Sequence, residues 1–188
     1  MSGIAGIAGI AGAYGGTRME FLVGGLITVL GVLVGGGLSW FSTIRRDRLV
    51  MAFDMHRELH GTELLHARYR AGAAVRRHQG RTYLELEQQL GPETAHDLRL
   101  VVHFFERLWL AIEHDAIERK CVPRLFGDTF YWWYAASFRH QFVPLSSEVG
   151  LNIQRLWEWL EAHASDAQRR GWRHGNERWL PAQPTDQG

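Results

Sequence analysis

The sequence predicts an all-α protein, a single N-terminal transmembrane helix followed by a cytoplasmic helical bundle. Three observations carry that prediction. Residues 21–44 form an apolar run of 24 residues without a charge. Beyond it, apolar residues recur at spacings of three and four, the period of an amphipathic helix. Nowhere does the chain show the strict alternation of a half-buried strand. In order, the predicted segments are a Gly-rich extension over 1–18, the transmembrane helix over 19–44, a basic juxtamembrane helix over 45–81, a bundle body over 82–165 and a polar tail over 166–188.

The extension opens with "SGIAGIAGIAGAYGG", a three-residue repeat without charge. It lacks the proline of a collagen repeat, and it is too short and too glycine-rich to form a second span. The following run, Phe21 to Ile44, is about 36 Å long as a helix, enough to cross a hydrocarbon core of about 30 Å with some tilt. A cleaved signal peptide carries its positive charge ahead of the apolar run. Here Arg18 and Glu20 cancel upstream, while Arg45, Arg46 and Arg48 follow the run directly. The positive-inside rule then puts the body in the cytoplasm and the N-terminus outside, with those arginines setting topology and meeting lipid headgroups. Trp40 and Phe41 fall where an interfacial aromatic belt is expected.

Glycine is a poor helix former, yet this run is rich in it. Gly24, Thr28, Gly31, Gly35, Ser39 and Ser42 follow steps of four, three, four, four and three, so they share one face of a helix. In lipid there is no hydrophobic gain from pairing helices, and close backbone approach over small residues is a main source of attraction. The stripe therefore predicts packing against a helix of another integral membrane protein or complex, or of a second copy of the chain. Leu22, Ile27, Leu30, Val34 and Leu38 occupy the other side and suit lipid. The run holds no His, Cys, Met, Asp or Lys, so it offers neither a usual haem ligand nor a proton-relay carboxylate.

After the arginines comes a long segment without proline whose soft points are Gly61 and Gly72, with Phe53, His60, Leu64, Ala67, Ala71 and Ala74 expected along one seam. "GRTYLELEQQLGP" reads as a short helix, opened by a capping box from Thr82 to Glu85 and stopped by Gly91 and Pro92. The next helix buries Leu98, Val101, Val102, Phe105, Leu108, Trp109 and Ile112. Pro123 opens another that runs toward Pro144, and a last one buries Ile153, Leu156, Trp157 and Leu160. Past residue 165 the chain is polar and turn-rich, which predicts a loosely held tail.

"HFFERLWLAIEHDAIERKCVPRLFGDTFYWWY", followed by "GLNIQRLWEWL", resembles an uncharacterised bacterial family of small membrane-anchored helical proteins, domain of unknown function 4760. Phe105, Glu106, Phe126 and Trp132 or Trp133 carry the resemblance, which covers about residues 20 to 162. It implies an N-terminal span, a connecting helix and a helical unit at the bacterial inner membrane, and it brings no known activity.

Charge and motifs narrow the function. The net charge of +1 gives no electrostatic case for nucleic acid. It is unevenly spread: residues 43–81 carry nine Arg against four acids, and residues 82–188 carry eleven Lys or Arg against fifteen. With Cys121 the only cysteine, neither an intrachain disulfide nor a thiolate metal site can form from this chain alone. His56, His60 and Glu63 have helical spacings compatible with zinc, but in "HRELH" the central glutamate projects from the far side, and His60 falls on the apolar seam. Ser137, Ser146 and Ser147 lie near His140 without a nucleophile elbow or an orienting acid. No phosphate loop is present. Arg68, Arg70, Arg76, Arg77 and Arg81 point around the helix, as on a solvated or headgroup-facing surface. "FYWWYAASF" is expected to pack rather than to stack on bases. No enzyme, cofactor or metal is predicted. The expected role is a single-span accessory or scaffold subunit docked on a larger membrane complex, with a membrane-tethered regulatory or sensing module as the alternative.

Overall fold

The computed structural model describes residues 40, 42–78, 80–140 and 142–177. Every regular element among them is helical, so the all-α class holds. The chain divides after Arg45 into two units, and the second is the helical body. No helix among the described residues is long and apolar enough to cross a membrane. The predicted span lies almost wholly outside those residues, as does the extension over 1–18.

Helical residues 42–60 form α1, followed by α2 (Thr62–Arg77), α3 (Tyr83–Glu113), α4 (Val122–Ala136), α5 (Glu148–His163) and α6 (Asp166–Asn176). Helix α3 is the centre of the body: α2 and α5 pack along it, while α4 packs along α6 and also meets α2 and α5. The shared core runs from Ala52, Met55 and Leu59 on α1 through Phe104, Phe105 and Leu108 on α3 to Phe126 and Phe130 on α4 and Leu156 and Leu160 on α5. Two ring pairs at its centre meet edge to face, Phe104 on Phe105 at 5.4 Å and Phe105 on Phe130 at 5.0 Å, a geometry that suits the ring quadrupoles. Helices α1 and α2 contribute to the same core as α3, α4 and α5.

The seam of the first two helices differs from its prediction. Gly61 is extended at φ −66°, ψ 152°, which ends α1 and caps α2. The two helices therefore do not share one continuous phase. Leu64, Ala67, Ala71 and Ala74 are buried as expected, but Phe53 and His60 are exposed, and Ala52, Met55 and Leu59 take the inward positions.

Local stop and start signals fared better. At the start of α3, Glu85 N–H donates to Thr82 Oγ1 at 3.3 Å and Thr82 N–H donates to Glu85 Oε2 at 2.7 Å, the reciprocal capping box. Gly91, at φ 80° and ψ 174°, takes a conformation that side-chain-bearing residues avoid and breaks α3 before Pro92. Replacing Thr82 by alanine is expected to cost about 1 kcal/mol in a denaturation midpoint. The Thr82 backbone N–H, and then its hydroxyl, hold the Glu85 carboxyl below its ordinary value. A carboxyl with a lowered folded-state pKa stabilises above its unfolded value and loses that contribution as the pH falls through the folded one. The cap is thus expected to weaken below about pH 4.5, and Glu85→Gln, which removes the titrating group, should flatten that part of the acid limb.

Two elements depart from expectation toward the C-terminus. Helix α4 has Pro123 in its first turn but ends at Ala136, where Ser137 Oγ donates to Trp133 O at 2.7 Å, and a short 3₁₀ turn at Phe138–His140 follows. Residues 166–176 are not a loose tail. Ser165 and Gln168 form a second capping box, and α6 docks on α4 through one large side chain, Trp172, only 6% exposed. Asn176 Nδ2 donates to Asp128 Oδ1 at 2.9 Å beside it. Residues 178–188 lie outside the described chain.

Candidate functional site

The break at Gly61 leaves the Leu59 carbonyl without a helical successor, and Arg68 supplies one. Its Nη1 donates to Leu59 O at 2.9 Å, placing a guanidinium at the negative end of α1. This contact draws Arg68 into the body, where its Nε is sealed from solvent without a hydrogen-bond partner among the described residues. Burial pushes the guanidinium below its ordinary pKa. Partial desolvation of its ring, then the nearby His56 and Arg68, pushes the His60 imidazole down.

Arg68 begins a row on α2 in steps of four: Arg68, Gly72, Arg76. Gly72 lets α4 come close, since a Cβ there would stand 3.1 Å from Trp132 Cη2. The Trp132 ring lies in that space, and the Arg76 guanidinium sits 5.6 Å above its centroid. Between α2 and α4 this leaves a groove of about 350 Å³, lined by Leu65, Arg68, Tyr69 and Gly72 with Arg76, Trp132 and Trp133. Such a volume suits a small organic molecule. Its charge is unbalanced. Arg48, Arg70, Arg99 and Arg107 are each held by a carboxylate, but among the described residues no acid pairs with Arg68 or Arg76.

The arginines of α2 are therefore not a uniform headgroup face. Arg70 grips buried Asp97 with Nε at 2.6 Å and Nη2 at 2.7 Å, and Arg68 and Arg76 line the groove; beyond the helix, Arg81 reaches Glu85. Rotation by a helical step sends neighbouring residues to different surroundings, and only packing decides which of them meet water.

Of the residues expected to set topology, Arg45 and Arg46 are exposed, whereas Arg48 forms an ion pair with Asp115 in the turn after α3. Ser42 is helical and exposed. Gly24, Thr28, Gly31, Gly35 and Ser39 lie outside the described residues. The His56 and His60 rings meet at a tilt of 51° with centroids 4.5 Å apart, yet among the described residues no three metal-ligating side chains converge. Ser137 is spent on the end of α4, and Ser147 caps α5 by accepting from Gly150 N–H at 3.1 Å. The groove itself was not foreseen. Its signal in the sequence is faint: two arginines eight apart with a glycine midway.

Comparison with protein-family models, with curated proteins and with solved structures found no match.

Proposed function

We propose that this chain is a single-span membrane accessory or scaffold subunit, anchored by residues 19–44 and docked through its small-residue face on a larger integral membrane complex. The observation that carries this reading is the uncharged run of 24 residues that leads straight into Arg45 and Arg46. One feature of the body supports it. On α1, Arg46, Leu49, Val50, Phe53 and Arg57 follow each other at helical spacing, and the three apolar side chains are 38–49% exposed. An apolar strip with arginine at either end suits the headgroup boundary of a bilayer, where the stems enter the acyl region and the guanidiniums meet phosphate.

Membranes from expressing cells, extracted at alkaline pH, should retain the chain; release into the supernatant would remove the anchor. Replacing both Gly31 and Gly35 by leucine should strip co-purifying integral membrane proteins while the body keeps its helical circular dichroism. Unchanged complexes would count against docking through that face.

A second reading, a membrane-tethered regulatory or sensing module, is favoured by the groove between α2 and α4. Scaffolding has no need of two unpaired arginines beside an aromatic wall.

A further inference from the structure

We infer that the groove between α2 and α4 is a binding site for a small organic anion with a flat apolar body. The inference deepens the sensing reading and rests on it.

Three observations converge on that chemistry. The first is charge: Arg68 and Arg76 both line the groove, and among the described residues neither has a carboxylate partner. The Arg68 guanidinium is partly withdrawn from water without a counter-charge, a cost that an incoming carboxylate, sulfonate or phosphate relieves, and the exposed Arg76 adds a second positive charge. The second is shape: Trp132 offers a ring face beside Tyr69 and Leu65, and Arg76 already sits over that ring. A flat ring can slide against Trp132 in the same manner. The third is construction. Arg68 is fixed in advance by its bond to Leu59 O, and Gly72 fixes the approach of Trp132, so the cation and the aromatic wall are held before a ligand arrives. Preorganisation of this kind lowers the entropy lost on binding.

The pairing also predicts what is refused. A bare inorganic anion gains the charge but leaves the aromatic wall unused. A neutral aromatic gains the wall but leaves the arginines uncompensated. The occupant needs both parts in one molecule small enough for about 350 Å³. A long lipid chain exceeds that volume.

The test is calorimetric titration of the full-length chain in mild detergent with indole-3-acetate and 2-naphthoate, with heats into protein-free detergent subtracted. At least one should bind saturably at one per chain. Indole-3-acetamide, the neutral isostere, and inorganic phosphate should each bind at least about tenfold more weakly. Arg76→Gln and Trp132→Leu should each weaken binding of the aromatic anion by about tenfold or more, with helical circular dichroism unchanged. Because Arg68 also ends α1, Arg68→Lys is the informative change there: it keeps a charge but loses the fork, and weaker binding with an intact fold is expected.

Absence of saturable binding by either anion up to millimolar concentration overturns the inference. So does equal binding of the acid and its amide, or binding indifferent to both Arg76→Gln and Trp132→Leu. The anchor stands or falls separately: a chain released by alkali that still binds loses the membrane reading alone, and a chain retained in membranes without binding loses only the groove.

Discussion

Replacing Gly127 by alanine is expected to expel Trp172 from the body and free α6. A Cβ at Gly127 would lie 2.0 Å from Trp172 Cζ2 and 2.5 Å from Cε2, far inside contact distance. The indole cannot yield by a small rotation, because it is itself 6% exposed and closed in by the core. Either α4 and α6 separate or the ring leaves. Losing the ring exposes the one large apolar group that holds α6, whose other residues are mostly polar and exposed. A destabilisation of about 2–4 kcal/mol follows. Denaturant midpoints should fall accordingly, and limited proteolysis should cut near residue 165. Trp172→Ala supplies the control. With the indole gone, alanine at 127 should cost little, so a double-mutant cycle should show coupling of at least about 1 kcal/mol. Additive effects would show that Gly127 matters for some other reason.

The second large effect is expected at Gly150, and here no side chain is available to move aside. A Cβ would meet the Pro144 carbonyl oxygen at 2.2 Å and its carbon at 2.8 Å. That carbonyl is already engaged, accepting from Ser147 N–H at 2.9 Å and from Ser147 Oγ at 2.7 Å, and Ser147 in turn caps α5. Gly150→Ala must therefore push the first turn of α5 away from the Pro144 turn and break the cap with it. A cost of about 3 kcal/mol is expected, against about 1 kcal/mol for Ser147→Ala, which removes the cap alone. Urea unfolding with an unchanged slope measures both. Equal losses for the two variants would reduce the role of Gly150 to its part in the cap.

These two glycines have a different physical meaning from Gly91. Gly91 has open space around it and is required by its backbone angle; Gly127 and Gly150 are required by what stands against them. A positive φ is a local property, and "GP" after a helical run announces it. A socket is a property of two elements, and nothing near residue 127 announces a tryptophan 45 positions away.

What the sequence by itself determined was the helical class, the apolar run over 21–44 and the local punctuation. The Thr82 to Glu85 capping box, the stop at Gly91 and Pro92, the start at Pro123 and the inward Leu98, Val101, Phe105 and Ile112 all follow from neighbours within a turn or two. Tertiary structure alone decided the rest. A single extended residue at Gly61 reset the phase between α1 and α2, so Phe53 turned outward and Ala52 inward. Helix α6 escaped notice because one buried tryptophan gives almost no apolar period, and its stability comes from the space Gly127 leaves on α4. The groove was hidden for the same reason. Arg68 and Arg76 read as two more charges on a basic helix until α4 brought Trp132 against Gly72. Hydrogen bonds and dihedral preferences act within a turn and so are written locally, whereas complementary surfaces exist only after distant helices meet.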